Sequence, residues 1–123
     1  MRMGEKGMRV IDLDNFKIVS VNRKYTIAKY ARSLILSPEY REFKKQIGFF
    51  CKRDIQFESK PLSMRIHHSS NLDVDNPVKC IIDGLQEAGV IKNDKLIEDL
   101  HVTLDRKKTG RLIVDIEYIE NIV

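Results

Sequence analysis

The chain has 123 residues, 42% of them hydrophobic, which suffices for one small domain with a buried core over residues 1–123. Its 22 basic and 18 acidic residues leave a net charge of +4, a mild excess that permits a polyanionic partner without requiring one. Two scattered cysteines exclude a disulfide framework or a zinc site, and no apolar run is long enough for a membrane span or signal peptide. We therefore expect a cytoplasmic protein without membrane association, in which Cys51 and Cys80 are reduced thiols in or near the core.

The first half of the chain predicts strands followed by a helix. Residues 8–21 are rich in valine and isoleucine and predict one or two strands of a hairpin, with turn chemistry at Asp14-Asn15. Residues 22–25 form a polar break. Ser37 and Pro38 predict the N-cap and first position of a helix. Its apolar face is predicted from spacings of three and four residues, at Tyr40, Phe43, Ile47 and Phe50.

The second half predicts a strand, a well-delimited helix and two more strands. Residues 62–68 alternate apolar and polar side chains and predict a strand. Asn76 and Pro77 predict the N-cap and first residue of the next helix, which Gly89 ends. Strands are predicted near residues 100–104 and 112–118, joined by a basic turn over residues 106–110. This order indicates a single mixed sheet with helices packed on it.

A possible reactive site lies where the strand at residues 62–68 leads into the second helix. If the chain is extended there, Asp73 and Asp75 point to the same side, and a hard divalent cation such as Mg²⁺ would neutralise the paired carboxylates. Helical geometry places Lys79 on the flank nearest Asp75, with Asp83 and Gln86 further along it and the apolar residues opposite. Asp94 is expected to return along the sheet edge as a third acid.

A simpler interpretation of the Asp73 and Asp75 pair stays open on the local pattern alone. An Asp-x-Asp pair before a helix is often only a cap and a solvated turn residue. Asp12 and Asp14 repeat the same spacing near the N-terminus, where no capped amphipathic helix follows. The pattern therefore needs support from the rest of the chain.

That support comes from a resemblance over residues 20–118 to the RusA-type Holliday-junction resolvases. The segment from residue 72 to residue 94 resembles the signature of that family without insertion. The matching residues are Asp73, Asp75, Asn76, Lys79, Asp83-Gly84-Leu85, Gly89 and Asn93-Asp94. Residues 20–25 are similar to the family's N-terminal Ser-Asn-Asn-Arg-Tyr stretch, and residues 107–112 are similar to its basic hairpin turn.

Three features depart from the family pattern. Asn93 replaces the first residue of an acidic pair, which leaves Asp94 as the expected ligand. Residues 65–70 carry the pair His67 and His68 where members often have an arginine run; we expect one ring to be packed and the other exposed. Gly84 stands where alanine is usual, at a modest cost in helix propensity.

The resemblance implies an α/β (α+β) fold, with a mixed sheet of about four strands and two main helices. It implies a homodimer that cuts four-way DNA junctions with Mg²⁺, or Mn²⁺ in its place. Asp73, Asp75 and Asp94 would hold the metal, and Lys79 would act on the phosphate as the fourth catalytic residue. DNA contacts would come from basic residues in two stretches, namely Arg23, Lys24, Lys107, Lys108 and Arg111. The alternatives are a non-catalytic DNA-binding or recombination-accessory module of the same fold, and a small metal-dependent phosphohydrolase acting on nucleotides.

Overall fold

A computed structural model of the chain describes residues 8–14, 25–27, 34–36, 38–51, 55–107 and 110–121. These residues contain strands and helices in the order β1 (Met8–Leu13), β2 (Tyr25–Ile27), β3 (Leu34–Leu36), α1 (Pro38–Phe50), β4 (Leu62–His68), α2 (Val78–Glu87), β5 (Ile97–Leu104) and β6 (Leu112–Tyr118). Short 3₁₀ turns precede β5 at Asp94–Leu96 and follow β6 at Ile119–Asn121. Strands and helices thus occur in the predicted places, and β2 and β3 are additions.

The main sheet has four strands in the order β1-β6-β4-β5. β6 is antiparallel to both β1 and β4, whereas β4 and β5 are parallel. The strands β2 and β3 pair antiparallel in a separate two-stranded sheet. The predicted α+β fold, with a mixed four-stranded sheet and two helices, is confirmed.

The core forms between one face of this sheet and the two helices. Along β4 the alternate residues Leu62, Met64 and Ile66 are buried, as period-two alternation requires for a covered face. Phe43 and Ile47 of α1 are buried, in agreement with the predicted helical face. The remaining members of the core are Val10, Ile11, Cys51, Ile55, Phe57, Cys80, Ile81, Leu85, Val90, Ile91, Leu112, Val114 and Ile116.

Parallel pairing of β4 and β5 requires a crossover, and α2 provides it. Leu62 pairs with Ile97 and His68 with Leu104, so both strands start at one end of the sheet and finish at the other. The helix therefore runs back from the end of β4 towards the start of β5. Gly89 ends it with φ of +81°, a conformation that glycine adopts without steric cost.

Two sequence-based expectations about connections need correction. Residues 105–111 do not form a hairpin between β5 and β6, because β4 lies between those strands and pairs with both. The predicted hairpin over residues 8–21 is replaced, in its described part, by β1 pairing with the distant β6; residues 15–21 lie outside the described residues. Local pattern marks strands but does not identify their partners.

The two cysteines lie in the core, as predicted from the sequence. Cys51 and Cys80 are both buried, and neither is part of a disulfide. Among the described residues, no helix combines the length and apolar character needed to cross a membrane.

Candidate active site and adjacent basic segment

The two aspartates of the Asp-x-Asp motif lie on a turn between β4 and α2, which we call the acidic turn (residues 73–76). The backbone N–H of Asn76 donates to the carbonyl oxygen of Asp73 at 3.1 Å. The prediction of an extended segment at Asp73 and Asp75 is therefore wrong, because β4 ends at His68 and the chain forms a turn from Asp73 to Asn76. Asp73 and Asp75 are both exposed to solvent.

The helix that follows begins one residue later than predicted. Pro77 rather than Asn76 occupies the N-cap position, and within the fully described residues 55–107 no side chain caps this helix. The N–H of Val78 instead donates to the carbonyl oxygen of Asp75 at 3.2 Å, so the turn itself supplies the first acceptor. Asp75 precedes the positive end of α2, where the helix dipole is favourable for a negative charge.

A buried histidine fastens the acidic turn to the sheet. His68 is completely buried, and its Nε2 donates to the carbonyl oxygen of Val74 at 2.7 Å. Its Nδ1 lies 3.0 Å from Oγ of Ser70, which also accepts the backbone N–H of Leu72 at 3.2 Å. Burial has the largest effect on the pKa of His68 and lowers it from its ordinary value, although the hydrogen bond to Val74 acts in the opposite direction. The ring is therefore neutral at pH 7. The expectation of one packed ring is confirmed by His68, whereas His67 is partly buried rather than exposed as predicted.

Lys79 projects from the first turn of α2, on the side away from the core, as predicted. Its Nζ lies 3.3 Å from Oδ1 of Asp83 and 3.5 Å from Oδ2 of Asp94. These carboxylates, Asp83 foremost, raise the pKa of the Lys79 ammonium group above its ordinary value. A positively charged group therefore links α2 to the segment that precedes β5.

Asp94 is held by backbone contacts as well as by this ion pair. Its N–H donates to Oε1 of Gln86 at 3.0 Å, and its side chain is 38% exposed. Asn93 accepts the backbone N–H of Lys95 at 2.9 Å and caps the 3₁₀ turn. Asn93, which replaces an acidic residue of the family pattern, thus stabilises the start of the 3₁₀ turn. Asp83, Gln86 and Asp94 line an open cleft of about 440 Å³.

The structure brings together only part of the predicted site. Lys79 contacts Asp94, whereas Asp73 and Asp75 lie on the acidic turn. Carboxylate oxygens suit Mg²⁺, but in the described part of the chain no three Asp, Glu, His or Cys side chains are close enough to hold a metal ion. As they are placed here, the acids do not fit a three-ligand site, and their convergence remains a prediction.

A basic segment (residues 105–111, of which 105–107 and 110–111 are described) is hydrogen-bonded at both described ends to the end of β4. The N–H of Asp105 donates to the carbonyl oxygen of His68 at 3.1 Å. The N–H of Ser69 donates to the carbonyl oxygen of Arg111 at 2.9 Å. Both ends of the basic segment are therefore attached to the residues that lead into the acidic turn.

The candidate DNA-contacting residues have different environments. Lys107 is exposed, and its backbone N–H donates to Oδ1 of Asp105 at 2.8 Å. Arg111 uses Nη1 to contact Oδ1 of Asp12 at 2.7 Å, which links the start of β6 to β1. This structural contact was not predicted from the sequence. Three further candidates lie outside the described residues, namely Arg23, Lys24 and Lys108.

Three residues that organise the site had no role assigned to them in the sequence-based prediction. Asp83 was placed on the correct flank of α2, and its spacing of four residues from Lys79 is a recognisable signal for an ion pair. Gln86 and His68 bond to backbone atoms of other segments. Neither bond has a local sequence signal, because each depends on how the chain folds back.

The chain is similar to a known nuclease family over most of its length. The family model described as Endodeoxyribonuclease RusA matches residues 24–117, which is most of the chain. A comparison with curated proteins gives no match.

Proposed function

Because the chain belongs to the RusA endodeoxyribonuclease family, we propose that it is a structure-selective endonuclease that resolves four-way (Holliday) DNA junctions. The supporting observation is the contact between Lys79 and Asp94. These residues belong to separate parts of the motif, on α2 and before β5, and they meet in space. An ammonium group beside a carboxylate at an open cleft is a suitable arrangement for phosphodiester chemistry.

The proposed catalytic residues are Asp73, Asp75, Asp94 and Lys79. Asp73, Asp75 and Asp94 would hold Mg²⁺, or Mn²⁺ in its place, once they came together as a group, which they do not form as they are placed here. The bound cation would supply an activated water and offset charge on the phosphate. Lys79 stabilises the negative charge that develops on the phosphate oxygens.

The proposed DNA contacts lie on the basic segment and near the N-terminus. Lys107 and Lys108 bind backbone phosphates, and Arg23, Lys24 and Arg111 make further phosphate contacts. The hydrogen bonds of Asp105 and Arg111 to the end of β4 support the assignment of Lys107, because they attach its segment to the residues that lead into the acidic turn. Arg111 contributes through guanidinium nitrogens other than the Nη1 atom that contacts Asp12.

The proposed working form is a cytoplasmic homodimer. A four-way junction has approximate two-fold symmetry, so a C₂ dimer presents identical sites to two symmetry-related strands. Two such sites explain paired cuts, which a monomer does not.

A second candidate is a non-catalytic module that binds branched DNA and retains the fold. The observation in its favour is that, within the described residues, no three acidic or other metal-binding side chains are grouped. This candidate predicts junction binding without strand cleavage.

One incubation separates the candidates. A labelled four-way junction is mixed with the full chain, with and without Mg²⁺, and the strands are analysed on a denaturing gel. We expect paired, symmetrical cuts that depend on Mg²⁺ or Mn²⁺. Binding without cleavage would identify the accessory module. Phosphate released from nucleotides, with an intact junction, would identify a small phosphohydrolase instead.

A further inference from the structure

We propose that His68 is a positioning residue of the nuclease site, because its ring nitrogens fix the backbone on which Asp73 and Asp75 stand. The expected effect of His68 on cleavage rests on the proposed function. Its expected effect on the conformation of the acidic turn rests on the fold alone. This inference assigns a role to a buried polar group that the proposed catalytic scheme does not use.

The hydrogen bonds of His68 have a direction that chemistry dictates. The carbonyl oxygen of Val74 only accepts, so Nε2 carries the proton and donates at 2.7 Å. In the neutral ring Nδ1 is then the acceptor, and the hydroxyl of Ser70 donates to it at 3.0 Å. Ser70 accepts the N–H of Leu72 at 3.2 Å. One imidazole ring therefore determines the backbone position on both sides of Asp73.

The location of the Val74 carbonyl makes this bond important for function. Val74 lies between the two aspartates, and its side chain is exposed, so apolar packing contributes little to holding the turn. His68, by contrast, is anchored in β4, where its neighbours pair with both β5 and β6. The bond transmits the rigidity of the sheet to an exposed turn. Small displacements of catalytic groups are costly, because about 1 Å can reduce a rate about 10²-fold.

Replacement of His68 by glutamine and by asparagine tests its hydrogen bonds to Val74 and to Ser70 separately. Glutamine places its Nε2 the same number of bonds from the backbone as Nε2 of histidine, so His68→Gln keeps a donor for Val74. Asparagine reaches only as far as Nδ1, so His68→Asn keeps a partner for Ser70 and loses the bond to Val74. Both substitutions place a polar amide in the same buried site. The matched control is His67→Asn, because His67 lies on the opposite face of β4 and bonds to Thr103 at 2.7 Å.

Three measurements test the role of His68. The first is amide hydrogen exchange of residues 72–76 without DNA or metal; the second is junction affinity in EDTA; the third is the single-turnover cleavage rate with Mg²⁺. For His68→Asn we expect faster exchange, unchanged affinity within about twofold, and a rate lowered about 10²-fold. For His68→Gln and His67→Asn we expect wild-type exchange and rates within about threefold of wild type.

The remaining outcomes decide against the inference or against the proposed function separately. Equal losses in the glutamine and asparagine variants would reduce His68 to a packing role. Unchanged exchange and rate in His68→Asn would overturn the inference. If His68→Asn does not fold, the test rests on His68→Gln. A folded glutamine variant with fast amide exchange at residues 72–76 would overturn the inference, and one with wild-type exchange would support it. If wild type does not cleave, the proposed function fails, while the exchange contrast still tests the role of His68 in the turn.

Discussion

Replacement of Gly84 by alanine tests how closely the two helices must approach each other. Gly84 is buried on α2, where the sequence alone suggested only a modest loss of helix propensity. A Cβ atom built there would lie 2.7 Å from both Cβ and Cγ2 of Ile47 and 3.0 Å from the carbonyl oxygen of Lys44. Ile47 is fully buried, and neither its Cβ atom nor a backbone carbonyl can rotate away. The helices must therefore separate to admit the methyl group.

Two opposing terms set the size of the effect. Alanine in a helix interior is more favourable than glycine by about 1 kcal/mol. Overpacking of a dense core costs about 1–3 kcal/mol, and contact with backbone and Cβ atoms favours the upper part of that range. We therefore expect Gly84→Ala to lower the free energy of unfolding by about 2 kcal/mol, equivalent to roughly 8 °C in Tm.

Urea unfolding followed by circular dichroism measures this free energy, with Gly48→Ala as the matched control. A Cβ at Gly48 would lie 3.4 Å from Cβ of Ala88, an ordinary contact. Gly48→Ala in α1 is therefore expected to stabilise the protein, by up to about 1 kcal/mol. A Gly84→Ala protein as stable as wild type would refute the close approach of α1 and α2.

Four further predictions concern the pH dependence of stability, the charges that contact DNA and two of the proposed catalytic residues. The pKa of His68 is lowered in the folded state, so its contribution to stability is complete above the unfolded-state pKa of about 6.5 and is lost as the pH falls below it. The free energy of unfolding should decrease by at most about 1.4 kcal/mol per pH unit through this group. Unfolding measured at pH 7.5 and at pH 5.5 should therefore show a smaller decrease in stability for His68→Gln than for wild type. Changing Lys107 and Lys108 together to alanine should weaken junction binding and reduce its log–log salt slope by about 2, measured by fluorescence anisotropy; an unaltered slope would remove them from the interface. Asp75→Asn should abolish cleavage while folding and junction binding persist, and retained turnover would exclude Asp75 from the site. Lys79→Ala should reduce the cleavage rate by about 10²-fold or more with similar junction affinity, and an unchanged rate would contradict its catalytic role.

The features that the sequence predicted well are local ones. The periodic apolar residues of α2 and the stop at Gly89 depend on contacts within a few residues, and both are present. The same helical geometry correctly placed Lys79 opposite the core, beside Asp83. The resemblance to RusA-type resolvases also proved correct at the level of the family.

The features that the sequence missed depend on distant segments. β6 pairs with β1 and β4 rather than with β5, and no local alternation of side chains reveals these partners. The acidic turn is held by a bond from His68, so its shape is a property of tertiary structure. The need for glycine at position 84 also depends on a distant segment, because a side chain there would collide with Ile47 on α1.

The central claim is that Asp73, Asp75 and Asp94 share one divalent cation beside Lys79. Crystals of the full chain grown with Mn²⁺ test it directly, since anomalous scattering locates the metal. We predict a manganese ion beside Lys79 with carboxylate oxygens of all three aspartates at about 2.0–2.6 Å, the range of hard divalent cations. A manganese ion bound by other residues, or the acidic turn and Asp94 still apart at Mn²⁺ concentrations that support cleavage, would contradict the claim.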